Sequence, residues 1–110
     1  MSRASISVNG TREFVAFYNS LTESDPIKKK LDDVMDQLKK KPTMGDRIHA
    51  RLFPVKYVRK YGIRNLYRCP LGSNYRMLYT LTSKTNTIYC VILEVLTHKE
   101  YDFLFGYKPS

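Results

Sequence analysis

Between Arg47 and Leu93 the sequence has no aspartate or glutamate, yet it carries Arg47, Arg51, Lys56, Arg59, Lys60, Arg64, Arg68, Arg76 and Lys84. The formal net charge is +9, and outside this stretch basic and acidic side chains cancel, so the whole excess lies in one block. Tyr57, Tyr61, Tyr67, Tyr75, Tyr79 and Tyr89 lie in the same block. Cations interleaved with rings suit a polyanion that also offers flat faces, and nucleic acid is the first candidate. Arginine is the apt residue for such chemistry. Its guanidinium stays charged and presents a planar fork of donors, which fits a phosphodiester.

Size and composition narrow the setting. At 110 residues, 43% of them hydrophobic, the chain suits one domain over 1–110 with its own core. There is no run of about 18 apolar residues, so no membrane span is expected. The start, Met-Ser-Arg-Ala-Ser, has no apolar signal region, and a cytoplasmic protein is expected. No Cys/His cluster has zinc spacing and no Gly-rich phosphate loop appears, so neither metal nor other cofactor is expected. Cys69 and Cys90 fall in apolar, β-rich stretches and are expected as buried thiols.

The elements that must position the arginines follow from periodicity. Residues 5–8 read as a short strand ended by Asn9-Gly10. Thr11 can cap a helix whose apolar face is Phe14, Phe17, Tyr18 and Leu21. Asp25 and Pro26 suit the N-cap and first position of a second helix, with Ile27, Leu31, Val34, Met35 and Leu38 as its stripe and Pro42 as its stop. Its lysine runs read as a solvated face. The short link makes these an antiparallel helical hairpin. Residues 47–53 fit a strand or a turn, and 54–61 a helical turn ended by Gly62, with Lys56, Arg59 and Lys60 on the surface. His49, in this segment, reads as structural. Residues 63–71, 75–82 and 87–96 read as three strands of an antiparallel meander, with turns at 72–74 and 83–86. The third is apolar almost throughout and should be covered on both faces. Cys69 and Cys90 then sit on its outer strands, about 9–10 Å apart, beyond disulfide reach.

A three-residue loop at 72–74 sets Leu71 opposite Tyr75, Pro70 opposite Arg76 and Arg68 opposite Leu78. Arg64, Arg68 and Arg76 then share one side of the sheet, and Tyr67, Cys69, Tyr75, Met77, Tyr79 and Leu81 the core side. A two-residue loop would bury an unpaired guanidinium, which is costly. The class expected is α+β: a short N-terminal strand and a helical hairpin on a three-to-four-stranded, mainly antiparallel sheet.

That order resembles the RelE/ParE toxin superfamily of toxin–antitoxin systems. The resemblance spans nearly the whole chain. Asn74-Tyr75-Arg76-Met77-Leu78-Tyr79 is similar to the family's Gly-Tyr-Arg-apolar-apolar-Tyr strand, and 92–96 to its last core strand. Thr97-His98-Lys99 is similar to its Gly-His-Arg or Thr-His turn, and Leu104-Phe105-Gly106 to the Leu-Phe-Gly ending of YafQ-type members. The RelE and YafQ branches are ribosome-dependent endoribonucleases that cut mRNA without a metal, the ribose 2′-OH attacking the adjacent phosphate. The resemblance implies Arg76 as transition-state stabiliser, Arg68 at the position of a catalytic lysine, His98 as base or acid, Lys99 at the position of an arginine, and Phe105 orienting a base. A further family lysine falls on Pro70 here. Tyr101 ranks ahead of Tyr107 as counterpart of the terminal catalytic tyrosine.

Arg64, Lys56, Arg59, Lys60 and Phe105 complete the expected RNA-binding set beside the catalytic set Arg68, Arg76, His98, Lys99 and Tyr101. The implied partners are mRNA, the ribosome and a cognate antitoxin. Four alternatives stay open on the residues. His98 can be a turn residue hydrogen-bonded to backbone. Arg68 and Arg76 can be plain strand arginines, solvated or paired with Glu94. Tyr101, Phe103 and Phe105 can be a terminal segment packing on the core. The chain can also be an RNA-binding domain without catalysis, or a ParE-like gyrase inhibitor that is not an enzyme.

Overall fold

A computed structural model describes residues 5–106. Its centre is a five-stranded sheet: β1 (Ser5–Gly10), β2 (Asp46–Arg47), β3 (Tyr67–Leu71), β4 (Tyr75–Lys84) and β5 (Thr87–Thr97), in the order β1-β5-β4-β3-β2. β3, β4 and β5 form the expected meander, and β1 adds to β5 in parallel. The middle hairpin has the predicted register, with Leu71 across from Tyr75, Pro70 from Arg76 and Arg68 from Leu78. Pro70 lies past the end of β2 on the sheet edge, where a missing N–H disrupts least. Cys69 and Cys90 are free and buried, with β4 between their strands; burial raises the Cys69 thiol and pushes Cys90 up to about 12.

The helices α1 (Arg12–Ser20) and α2 (Pro26–Lys40) cover one face. Thr11 caps α1 by accepting from the Phe14 N–H, and Asp25 caps α2 by accepting from the Ile27 N–H. Phe14, Leu31 and Leu38 pack there on Tyr67, Cys69, Leu71, Met77 and Tyr79. The Tyr18 hydroxyl donates to Asp32 across the hairpin at 2.6 Å. Among the described residues no helix is long and apolar enough to cross a membrane.

The second face carries more cover than expected. α3 (Val55–Tyr61), the helical turn expected at 54–61 and ended by Gly62, is joined there by a helix that was not expected, α4 (His98–Phe105). Tyr57 and Tyr101, both buried, pack with Ile48, Leu66, Leu78, Leu93 and Leu96 as a second core. The segment from His98 is therefore a helix rather than a turn, and of its aromatics Tyr101 and Phe105 pack on the core while Phe103 is exposed. The cause of the helix is legible in hindsight: Thr97 and Glu100 form a capping box, each side chain accepting from the other's backbone N–H.

Three smaller corrections have local causes. The first meander strand starts at Tyr67, not Ile63, because the side chain of Asn65 takes a ladder position. It donates to the Leu81 carbonyl at 2.8 Å and accepts from the Leu81 N–H at 2.7 Å, while the Thr80 hydroxyl donates to the Asn65 carbonyl at 2.8 Å. Arg64 thereby falls in the preceding loop, out of the row of Arg68 and Arg76. The last turn tightens to Thr85-Asn86, with Lys84 pairing Thr87 and Thr85 at φ 55°. Finally, Leu78 pairs Glu94 but Tyr79 pairs Ile92, so Leu93 is a bulge residue. The bulge sets two successive side chains toward the second face. Leu93 enters the core, and Glu94 meets α3 instead of an arginine. It accepts from Tyr57 at 2.8 Å and Lys56 at 3.1 Å.

One tie between layers is pH-dependent. Glu13 on α1 accepts from Lys60 and, at 2.9 Å, from Tyr61, both on α3. The Lys60 hydrogen bond, above all, holds the Glu13 carboxyl down at about 2 against an ordinary 4.5. A carboxyl depressed in the fold contributes stability in full above its unfolded value and loses it as pH falls toward the folded one. Melting curves of wild type and Glu13→Gln should therefore differ at neutral pH and converge as pH falls from about 4.5 to about 2.

Candidate functional site

Arg68 and Arg76 project from adjacent strands on the second face, one residue pair apart, where diagonal neighbours stand about 7–8 Å apart. With Asp46 and Pro70 they line an open hollow of about 250 Å³ at the sheet edge. The bulky cover of α3 and α4 stops short of it. Both guanidinium groups are half-buried, enough to be held and still reached.

Tyr101 connects them. From inside the second core its hydroxyl accepts from Arg68 Nη1 at 2.8 Å. Its ring carries the Arg76 guanidinium 4.6 Å from the centroid. This way of holding a cation matters. A carboxylate would neutralise Arg76 and occupy its donors, whereas an aromatic face attracts the charge and leaves the in-plane N–H groups pointing outward. Among the described residues Arg76 forms no ion pair with a carboxylate. Phe105 stacks on the other side of the arrangement, 4.5 Å from the Tyr101 ring and 30° from parallel.

Asp46 is the site residue that the sequence did not announce. It pairs with Arg68 across the β2–β3 ladder and lies 3.8 Å from Arg68 Nε. A two-residue strand has no periodicity to read, and the one available signal was its place as the last carboxylate before the acid-free block. Its position is fixed by the neighbouring loop. The Gly45 N–H donates to the Tyr79 hydroxyl at 2.9 Å, and that hydroxyl donates to the Pro42 carbonyl at 2.8 Å. A Cβ on Gly45 would come within 2.8 Å of both the Arg68 carbonyl and the Tyr79 hydroxyl, so this approach needs glycine.

The other expected residues are spread more widely. His98 is exposed at the first position of α4, with Nε2 against the Ser73 carbonyl at the tip of the β3–β4 hairpin. A carbonyl only accepts, so Nε2 carries the proton and Nδ1 is the nitrogen left for exchange. Lys99 is exposed and lines a separate groove with Lys56, Glu94, Leu96 and Phe103. Lys56 and Lys60 are engaged by Glu94 and Glu13, while Arg59 is exposed on α3. Tyr107 lies outside the described residues. His49 caps a short 3-10 turn at 50–52 by accepting from the Arg51 N–H at 3.2 Å, the structural role expected. Among the described residues no three His, Cys, Asp or Glu side chains are grouped to hold a metal ion.

The arrangement can grip a phosphate between two fixed guanidinium groups, with a carboxylate in the wall and an imidazole at the hairpin tip. No protein-family model matches the chain, and no curated protein does. Among solved structures it is similar in fold to "YoeB/ParE toxin from Agrobacterium tumefaciens", with a TM-score of 0.60 at 11% identity, over 84% of this chain and 98% of that one. The chain thus shares the α+β fold of that protein, the architecture that the element order led one to expect.

Proposed function

We propose that this chain is the toxin of a toxin–antitoxin pair and that it cleaves mRNA on the ribosome, in the cytoplasm and without a metal, as a RelE- or YafQ-like endoribonuclease. The observation that carries this reading is the pair Arg68 and Arg76, held on one buried tyrosine at the wall of an open hollow. The scissile phosphate sits between the two guanidinium groups. The ribose 2′-oxygen attacks phosphorus, the bond to the 5′-oxygen breaks, and a 2′,3′-cyclic phosphate remains. Arg76 and Arg68 stabilise the added negative charge of the phosphorane. A proton leaves the 2′-OH and one reaches the 5′-oxygen; we assign these transfers to Asp46, in the wall of the hollow, and His98, at the hairpin tip. The antitoxin covers the arginine hollow with an acidic segment.

The test is to add purified protein to translating ribosomes and map mRNA 5′ ends. Cuts in phase with codons are expected from wild type, and cleavage should fall in Asp46→Asn and His98→Asn. Intact mRNA in the presence of folded wild type would overturn the assignment. One observation favours a second reading, a binding protein of the same fold. Pro70 stands directly across from Arg76, where the family resemblance has a lysine, so the hollow has one cation fewer. Inhibition of gyrase supercoiling, or RNA binding with no cut ends, would mark that outcome.

A further inference from the structure

Away from the arginine hollow the second face carries two more depressions that share one wall residue. A groove of about 650 Å³ is lined by Tyr61, Arg64, Asn65, Thr80, Thr82 and Ser83 among others. A hollow of about 340 Å³ is lined by Arg47, Ile48, His49, Ala50, Phe53 and Arg64. Arg64 is thus the ridge between them. Neither wall contains a carboxylate, whereas Asp46 stands in the wall of the arginine hollow.

Arg64 is exposed, yet its backbone is fixed. Gly62 ends α3 in the left-handed conformation at φ 60°, and Asn65 is locked to Leu81 and Thr80. A cation on a rigid stem, flanked by exposed hydroxyls at Thr82 and Ser83 and by the half-buried rings of Tyr61 and Phe53, matches one chemistry well. Phosphates take the guanidinium, and unpaired bases take the rings and hydroxyls. A duplex keeps its base faces inside and offers nothing to the rings.

The strand β4 links this region to the arginine hollow. Arg76, Leu78, Thr80 and Thr82 alternate onto the second face, Arg76 at the arginine hollow and Thr82 at the groove. Six residues of strand span roughly 20 Å. That equals about six nucleotides of stacked single strand at 3.4 Å each.

We propose that Arg64 forms a second anchor for single-stranded RNA, holding backbone about four to six nucleotides from the phosphate gripped by Arg68 and Arg76. The proposal rests on the RNA reading of the arginine hollow and adds to it a second contact and a length requirement.

The experiment is fluorescence anisotropy with labelled, fully 2′-O-methylated oligouridylates, which cannot be cut, from about three to about twelve nucleotides so as to bracket that span. Wild-type affinity should step upward once the oligomer exceeds about six nucleotides. The variant Arg64→Ala should lose the step, and its slope of log Kd against log salt should shrink by about 0.7, the loss of one phosphate contact. The variant Lys40→Ala removes equal charge from the far end of α2 and should keep both. The anchor is overturned if wild type shows no step, if Arg64→Ala retains it, or if Lys40→Ala loses it equally. The two readings fail separately. Absent mRNA cleavage with an Arg64-dependent step removes the nuclease alone. Codon-phased cleavage with a step indifferent to Arg64 removes the anchor alone.

Discussion

Arg76→Ala should lower the single-turnover rate of mRNA cleavage on translating ribosomes by about 10²–10³, the usual effect of deleting one preorganised donor to a developing anion. Arg76 is half-buried and sits over the Tyr101 ring, so the substitution also loses a cation–π contact of about 0.5–2 kcal/mol. A domain stable by about 5–15 kcal/mol stays folded after such a loss. Activity and melting temperature should therefore part company, the first collapsing and the second shifting by a few degrees. Arg76→Lys is the sharper control. It keeps the charge but not the planar fork, so it should recover binding more than rate. Codon-phased cuts at wild-type rate from folded Arg76→Ala would remove this residue from the chemistry.

The second large effect is expected at Tyr101, and it separates stability from positioning. Tyr101→Ala empties a fully buried ring from the second core and should cost about 3–5 kcal/mol, which denaturant titration would read directly. Tyr101→Phe keeps the ring under Arg76 and removes only the oxygen that Arg68 Nη1 donates to at 2.8 Å. Hydrogen bonds to charged groups contribute about 1.5–3 kcal/mol, so the cleavage rate should drop by about tenfold to a hundredfold if that bond aims Arg68. In a double-mutant cycle, Tyr101→Phe should then add little to Arg68→Ala. Full additivity would mean that the hydroxyl acts in some other way. Tyr101 is buried, which suits holding a guanidinium better than exchanging protons with RNA.

The parts of the molecule that were readable from the sequence are those with a repeating physical signal. The helical stripes of 14–21 and 27–38 and the β-rich runs after residue 67 are periodic, and each became the expected element. The register of the β3–β4 hairpin followed from one argument, that no unpaired guanidinium goes into a core, and it brought Arg68 and Arg76 to one face. What escaped were single-residue devices. Asn65 stands in for a strand residue by hydrogen bonding its side chain, which no period reports. The Leu93 bulge turned Glu94 toward Lys56 and Tyr57 because one residue more than the ladder needs was present. The capping box of α4 is written as Thr-x-x-Glu, but four residues are a short signal directly behind the strand-like run of 87–96. The site was half legible for the same reason. Its arginines sit on periodic strands, while Asp46 sits on a strand of two residues held by Gly45 and Tyr79.

The bulge at position 93 sets the phase of everything that follows it. Along a regular strand the side chains alternate sides, and the bulge resets that alternation by turning Leu93 and Glu94 to the same face. Were those two in plain alternation instead, every residue from Glu94 on would exchange inside for outside, and the phenol now beneath both guanidinium groups would be carried to the wrong flank of the sheet. Deleting Leu93 would take a leucine from the second core yet keep the phase, because Ile92 and Glu94 already face opposite sides.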